Sequence, residues 1–167
     1  MDRTEYLTAI NEFFYQGEVL GEAFFAYCVA HEGDAARRHK WASLLQLETE
    51  TKARLRPFLA SLGLSVAQDD VLAKIGEITA GFAAKSWTQH MHEIDEITSF
   101  FLDKFRAIAA AAPAGSEREM ATVMVAHETA INNFAKRELA GDGTGSLVDV
   151  VAQLRWPIAE PGRLAAG

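Results

Sequence analysis

Apolar residues at alternating spacings of three and four recur in four separate stretches, and this constrains the chain more than any other feature. In the second stretch, Trp41, Leu44, Glu48, Thr51, Leu55, Phe58 and Leu62 share one face of a helix at about 3.6 residues per turn. The third places Trp87, Met91, Ile94, Ile97, Phe101, Phe105 and Ile108 on one face, and the fourth does the same for Met120, Val123, Met124, His127, Ala130, Ile131 and Phe134. The first is rich in aromatics (Phe13, Phe14, Tyr15, Phe24, Phe25, Tyr27), and its apolar positions cover more than one face. No strand-like alternation competes, so the expected fold class is all-α. With 167 residues, 49% of them hydrophobic, the chain supports one domain with a sizeable core.

Local punctuation sets the expected boundaries. Thr4 reads as the N-cap of the first helix, which runs to the turn His31-Glu32-Gly33-Asp34. Asp34 caps the second, which ends at Leu62 and Gly63. Ser65 to Lys85 is a weaker helical stretch containing Val71, Leu72, Ile75, Ile78 and Phe82, broken near Gly76 and Gly81, and it reads as a crossover. Ser86 caps the third helix. Ser116 and Glu119 form a capping box for the fourth, which ends before Gly141 and Gly143. The bundle is expected over 1–145. Residues 146–167 form a short docking helix and tail, with Leu147, Val148, Val151 and Leu154 placed as a lid over one end.

Two titratable groups interrupt the apolar stripes. Glu48 points inward, and burying an unpaired carboxylate costs several kcal/mol unless it is protonated, paired with a cation or bound to a metal. His127 sits at the centre of the fourth stripe. Counting along the helices puts their levels roughly 5 to 6 Å apart, a gap the two side chains bridge directly or through a metal or water. His90 also faces inward, but about three turns from Glu48, and is expected outside that site. His31, His39 and His92 read as solvated.

A crossover of this length between two helical hairpins rules out a simple up-down-up-down order and leaves the second and third helices parallel. With that order and its inward carboxylates, the chain resembles the ferritin-like superfamily, in bundles of the rubrerythrin and bacterioferritin type, over about Thr4 to Leu139. The resemblance implies a di-iron site built from a Glu on the first helix, E-x-x-H on the second, a Glu on the third and E-x-x-H on the fourth. Glu18 lies at the rim of the first helix's apolar face, Glu48 opens the second motif, and Glu128 stands where the fourth helix's Glu belongs. The motif is degenerate: Thr51 and Ile131 replace its two histidines, and on the third helix Glu96 falls opposite the apolar stripe and Glu93 on its shoulder, so neither is assigned to the site.

Two functional readings follow. The first is a ferritin-like protein with an incomplete centre, a single metal held by Glu18, Glu48, His127 and Glu128, with iron, manganese or zinc as the candidate ions. The second is a metal-free scaffold or binding module, with Glu48 paired to His127. Both are expected as a homodimer, because Tyr15, Val19, Leu20, Phe24 and Tyr27 on the first helix and Phe100 on the third extend the apolar surface past one stripe. A net charge of -7 with scattered basic residues argues against nucleic-acid and anionic-membrane partners. The single Cys28 on an apolar face, with no leader-like amino terminus and no long apolar run, gives a cytoplasmic expectation. Phosphate loops, nucleophile elbows, C-x-x-C and H-E-x-x-H are all missing from the sequence, so no enzyme class is assigned.

Overall fold

Asp2, rather than Thr4, starts the first helix: its carboxylate accepts from Glu5 N while Glu5 returns a bond to the Asp2 amide. The computed structural model describes residues 1–68 and 73–159, and no strand occurs among them. Four long helices dominate. Helix α1 (3–31) is continuous but contains a π-helical turn, Ile10–Tyr15, between α-helical Arg3–Ala9 and Gln16–His31. Helix α2 is Ala35–Ser61, capped by Asp34 through Arg37 N. After the crossover, with its short α3 (Ile75–Ile78) and a 3-10 turn Phe82–Ala84, come α4 (Trp87–Ala111) and α5 (Ser116–Leu139). Ser86 and Gln89 form a capping box for α4. The capping box expected at Ser116 and Glu119 is not formed: Gly115, at a φ of 94°, is the cap residue, and Ser116 is already helical.

The π turn inserts one residue, which rotates everything after it by about 100° relative to an unbroken helix. Before it, Tyr6 and Ala9 face the core; within it, Ile10, Phe14 and Tyr15 do; after it, Glu18, Val19, Phe25 and Cys28 do. This explains why the apolar residues of the first helix covered more than one face. It also corrects the expected dimer surface, since Tyr15 and Val19 are fully buried within the monomer and Leu20, Phe24 and Tyr27 are half-buried. Phe100 and Ile97 are the large apolar side chains left about half exposed on α4. Ile97 was expected on the inward stripe.

Two core clusters fix the helix directions. Tyr6 and Phe14 of α1 pack with Leu55 and Leu59 near the end of α2, Phe105 and Ile108 near the end of α4, and Met120 and Met124 near the start of α5. At the other end Phe25 and Cys28 meet Trp41 and Leu44 of α2, Met91 and Ile94 of α4, and Ile131 and Phe134 of α5. Helices α2 and α4 therefore run in the same direction, and the crossover returns along the molecule's length. Residues 64–68, at its start, are not helical. Asn11 Nδ2, Tyr15 OH and Gln16 Nε2 donate to the carbonyls of Ser65, Val66 and Ala67, tying the crossover to the π-turn region of α1. Val71 and Leu72 lie outside the described residues. Phe82 closes the crossover by burying itself between Trp41 and His90.

Leu147 and Leu154 of the tail pack, partly buried, against the core cluster that contains Trp41, Met91 and Phe134. Helix α6 (Val148–Val151) turns Val150, not Val148 or Val151, into the core. Beyond it Gln153 Nε2 donates to Ala126 O, and the Arg155 and Trp156 amides donate to the Glu50 carboxylate. The tail thus lies along the seam between α2 and α5. Residues 160–167 are outside the described residues. No helix among those described is long and apolar enough to cross a membrane.

Candidate metal centre

Between the two apolar clusters the interior turns polar. Glu18 from α1, Glu48 from α2, and His127 and Glu128 from α5 are all buried there. His127 Nε2 stands 3.2 Å from Glu18 Oε1 and 3.6 Å from Glu48 Oε2. One donor atom from each of Glu18, Glu48 and His127 lies within 4.8 Å of the others. The structure thus brings three of the four sequence-expected residues together. Glu128 is buried beside them but is not part of that three-residue cluster.

Local chemistry explains each placement. The π turn rotates Glu18 from the rim of the stripe to the interior, where it is 2% exposed. Gly21, one turn further along α1, gives Glu48 its room: a Cβ at Gly21 would lie 2.6 Å from the Glu48 carboxylate. His127 is oriented by Thr51, whose hydroxyl lies 3.0 Å from its Nδ1. Thr51 stands three residues after Glu48, where an E-x-x-H pair would have its histidine. It does not replace that ligand; it positions the histidine present on α5, as partners behind metal-bound imidazoles do. When Nδ1–H donates to Thr51 Oγ1, the Nε2 lone pair faces the two carboxylates.

The electrostatics are strongly one-sided. Burial, and then the neighbouring Glu48, hold the Glu18 carboxyl well above the usual carboxylate range. Burial and then Glu48 do the same to Glu128. The nearest buried cation, Lys52, is committed to Glu22 in an ion pair. Neither member of that pair was singled out by sequence, since a charged pair at helix edges carries no pattern of its own. The cluster also holds two of the buried polar atoms that lack a hydrogen-bond partner, Glu18 Oε2 and His127 Nε2.

These residues fit a metal ion. Carboxylate oxygens with one imidazole nitrogen suit iron, manganese or zinc. Donors sharing one ion at bonds near 2.1 Å stand no more than about 4 Å apart. The cluster, with its 4.8 Å limit, is slightly wider than such a sphere. The third helix contributes no carboxylate: Glu96 and Glu93 are exposed, and Glu93 pairs with Lys85. On the inner face of α4 at this depth is Thr98, whose hydroxyl donates to Ile94 O and accepts from Asn132.

A cavity of about 260 Å³ opens onto the cluster between α1 and α4. Gly17, Leu20, Phe24, Ile94, Ile97 and Phe101 form its walls, with Glu18, Glu48 and Glu128 also lining it. His90 lines the same cavity, packed against Phe82 and Trp41, and burial lowers its pKa. It stands apart from the three-residue cluster, as its distance along the helix implies. Of the other histidines, His31 and His92 are exposed and His39 is half-buried. A scan of protein-family profiles and searches of curated proteins and of solved structures return no match to this chain, so the reading of this site rests on its geometry and chemistry.

Proposed function

We propose that this chain is a ferritin-like carboxylate protein with a reduced metal centre. A single ion would be held by Glu18, Glu48 and His127, with Glu128 as an adjoining carboxyl. The observation that carries this reading is the pair of orphaned atoms, Glu18 Oε2 and His127 Nε2, inside a buried cluster of two carboxyls and one imidazole. The parallel course of α2 and α4 and the long return crossover support the ferritin-like part of the reading.

Thr51 fixes the imidazole so that Nε2 points at the carboxylates, and Gly21 lets Glu48 approach α1. Burial, and then the neighbouring Glu48, raise the proton affinity of the Glu128 carboxyl next to the site. A metal bound there would supply Lewis-acid or redox chemistry at positions left open toward the cavity. Elemental analysis of protein purified without an affinity tag tests the proposal. About one iron, manganese or zinc per chain is expected, lost in Glu48→Gln with helicity retained; wild type devoid of metal after incubation with all three ions would defeat it.

One observation favours the metal-free scaffold as a second reading. His127 Nε2 stands within ion-pairing range of two carboxylates, 3.2 Å from Glu18 and 3.6 Å from Glu48, without a hydrogen bond to either. In that reading the exposed Ile97 and Phe100 mark where a second copy would dock. Light scattering at micromolar concentration, giving a dimer mass with no bound metal, is the result that would select it.

A further inference from the structure

The cavity has a shape and a polarity that the metal site does not require. Two glycines one turn apart, Gly17 and Gly21, leave α1 bare on this side. The space beside Gly21 is filled by the Glu48 carboxylate, whereas a Cβ at Gly17 would meet nothing within 4 Å. Facing them, α4 offers Ile94, Ile97, Thr98 and Phe101. The half-exposed Ile97 and Ile78 mark the mouth, and the carboxyl groups of Glu18, Glu48 and Glu128 mark the closed end.

We propose that this cavity binds a small apolar alcohol or amine, inserted with its hydrogen-bond-donating end toward Glu48 and Glu128 and its hydrocarbon part between α1 and α4. Volume sets the size. An apolar cavity of about 150 Å³ accepts a benzene ring. Scaled by volume, 260 Å³ accepts roughly ten non-hydrogen atoms. Polarity sets the head group. The charged residues lining the cavity are Glu18, Glu48, Glu93 and Glu128, all acidic, and the nearby Lys52 is already paired with Glu22. A carboxylate ligand would therefore bring a further acidic group to a pocket whose nearby cation, Lys52, is already paired, whereas a hydroxyl or ammonium brings a donor to carboxyl oxygens, one of which, Glu18 Oε2, has no partner. The inference rests on the proposed site for the identity of its polar end. It does not require a metal to be bound, and this separates the two experimentally.

The test is calorimetric titration of chelator-treated protein with 1-octanol, n-octylamine and octanoate, compounds of matched length. Octanol and octylamine are expected to bind with one-to-one stoichiometry, and octanoate at least about tenfold more weakly, since each tenfold step corresponds to about 1.4 kcal/mol. Gly17→Leu places a side chain in the empty volume without a backbone clash, and Ile97→Trp narrows the mouth from an exposed position. Both are expected to retain a cooperative melt and wild-type helicity while weakening octanol binding at least about tenfold. Octanoate binding as tightly as octanol, no binding of either donor compound, or unchanged affinity in both variants would each overturn the proposal. Metal analysis of the same preparations keeps the two readings apart. Octanol binding in protein that takes up no metal sustains the cavity assignment and defeats the metal reading, and metal uptake without octanol binding does the reverse.

Discussion

Replacing Glu18 by Gln sets the two demands on this site against each other. In metal-free protein, Glu18 and Glu48 hold carboxylate oxygens within 4.8 Å inside the core. At an effective dielectric of about 20, two like charges at that separation repel by roughly 3.5 kcal/mol. Glu18 relieves this by keeping its proton well above its ordinary value of 4.5, because of burial first and Glu48 second. The native state therefore binds that proton more tightly than the unfolded chain does. The resulting stability is fully present below about 4.5 and is lost as pH rises from there through the raised folded-state value. A Gln at this position has no charge to desolvate. Metal-free Glu18→Gln is thus expected to be about 1 to 3 kcal/mol more stable than wild type near pH 8, a gap that closes near pH 4. For a chain of this size that is roughly 2 to 10 °C in Tm.

Metal inverts the order. At a hundredfold excess over its Kd, an ion stabilises wild type by about 2.7 kcal/mol, and the variant, having lost an anionic donor, gains far less. Urea unfolding followed by circular dichroism, with chelator and then with manganese or zinc, reads both halves of the prediction. A metal-free variant less stable than wild type by more than about 1 kcal/mol near pH 8 would refute the reasoning, because it would make Glu18 the counter-ion of a charged His127.

Three further expectations use other atoms of the site and core. Gly21→Ala drives a methyl into the Glu48 carboxylate, which a Cβ would approach to 2.6 Å, so metal affinity measured by competition with a chelating dye should fall at least about tenfold, although Ala suits a helix better by about 1 kcal/mol. Thr51→Val keeps the volume but removes the hydroxyl 3.0 Å from His127 Nδ1; metal binding should weaken by about 10- to 100-fold, and nitrogen NMR of the imidazole should report a changed tautomer balance. The Cys28 thiol is fully buried and its pKa is pushed up by burial, so a thiol-reactive dye should label it only as fast as the protein unfolds; immediate labelling in native buffer would count against the packing of that end.

The inward charge at Glu48 and the central His127 were legible because α2 and α5 are unbroken α-helices, in which phase carries across many turns. Their meeting follows from residue counting and is seen as a 3.6 Å approach. The first helix was legible only in part. A π turn has no residue signature, so Glu18 was placed one step too far toward the rim, and Tyr15 and Val19 were assigned to an outer surface that is in fact core. The turn lies where Asn11, Tyr15 and Gln16 reach carbonyls about fifty positions away, and such nonlocal partners leave no trace in periodicity. Thr51 was weighed only as a ligand, because its service to His127 depends on α5 packing against α2. The cavity was invisible for a similar reason: glycines carry no side-chain pattern, and the space beside Gly17 becomes a cavity only where α4 supplies the opposite wall.

The same residues argue that this interior was not shaped for stability alone. Replacing a buried charged cluster with packed apolar side chains is often neutral or stabilising by about 1 to 4 kcal/mol, and Gly inside a helix costs about 1 kcal/mol relative to Ala. Here the buried carboxyls of Glu18, Glu48 and Glu128 occur together with Gly17 and Gly21 and with an unfilled volume, just beyond the turn at which α1 departs from regular helix. Each feature lowers stability separately, but together they leave acidic groups facing an apolar space on a rigid frame. A core optimised only for packing would have removed any one of them at little expense to the others. Their dependence on one another, with Gly21 admitting Glu48, the π turn admitting Glu18 and Thr51 aiming His127, is the pattern expected where the arrangement of the groups is what the fold maintains.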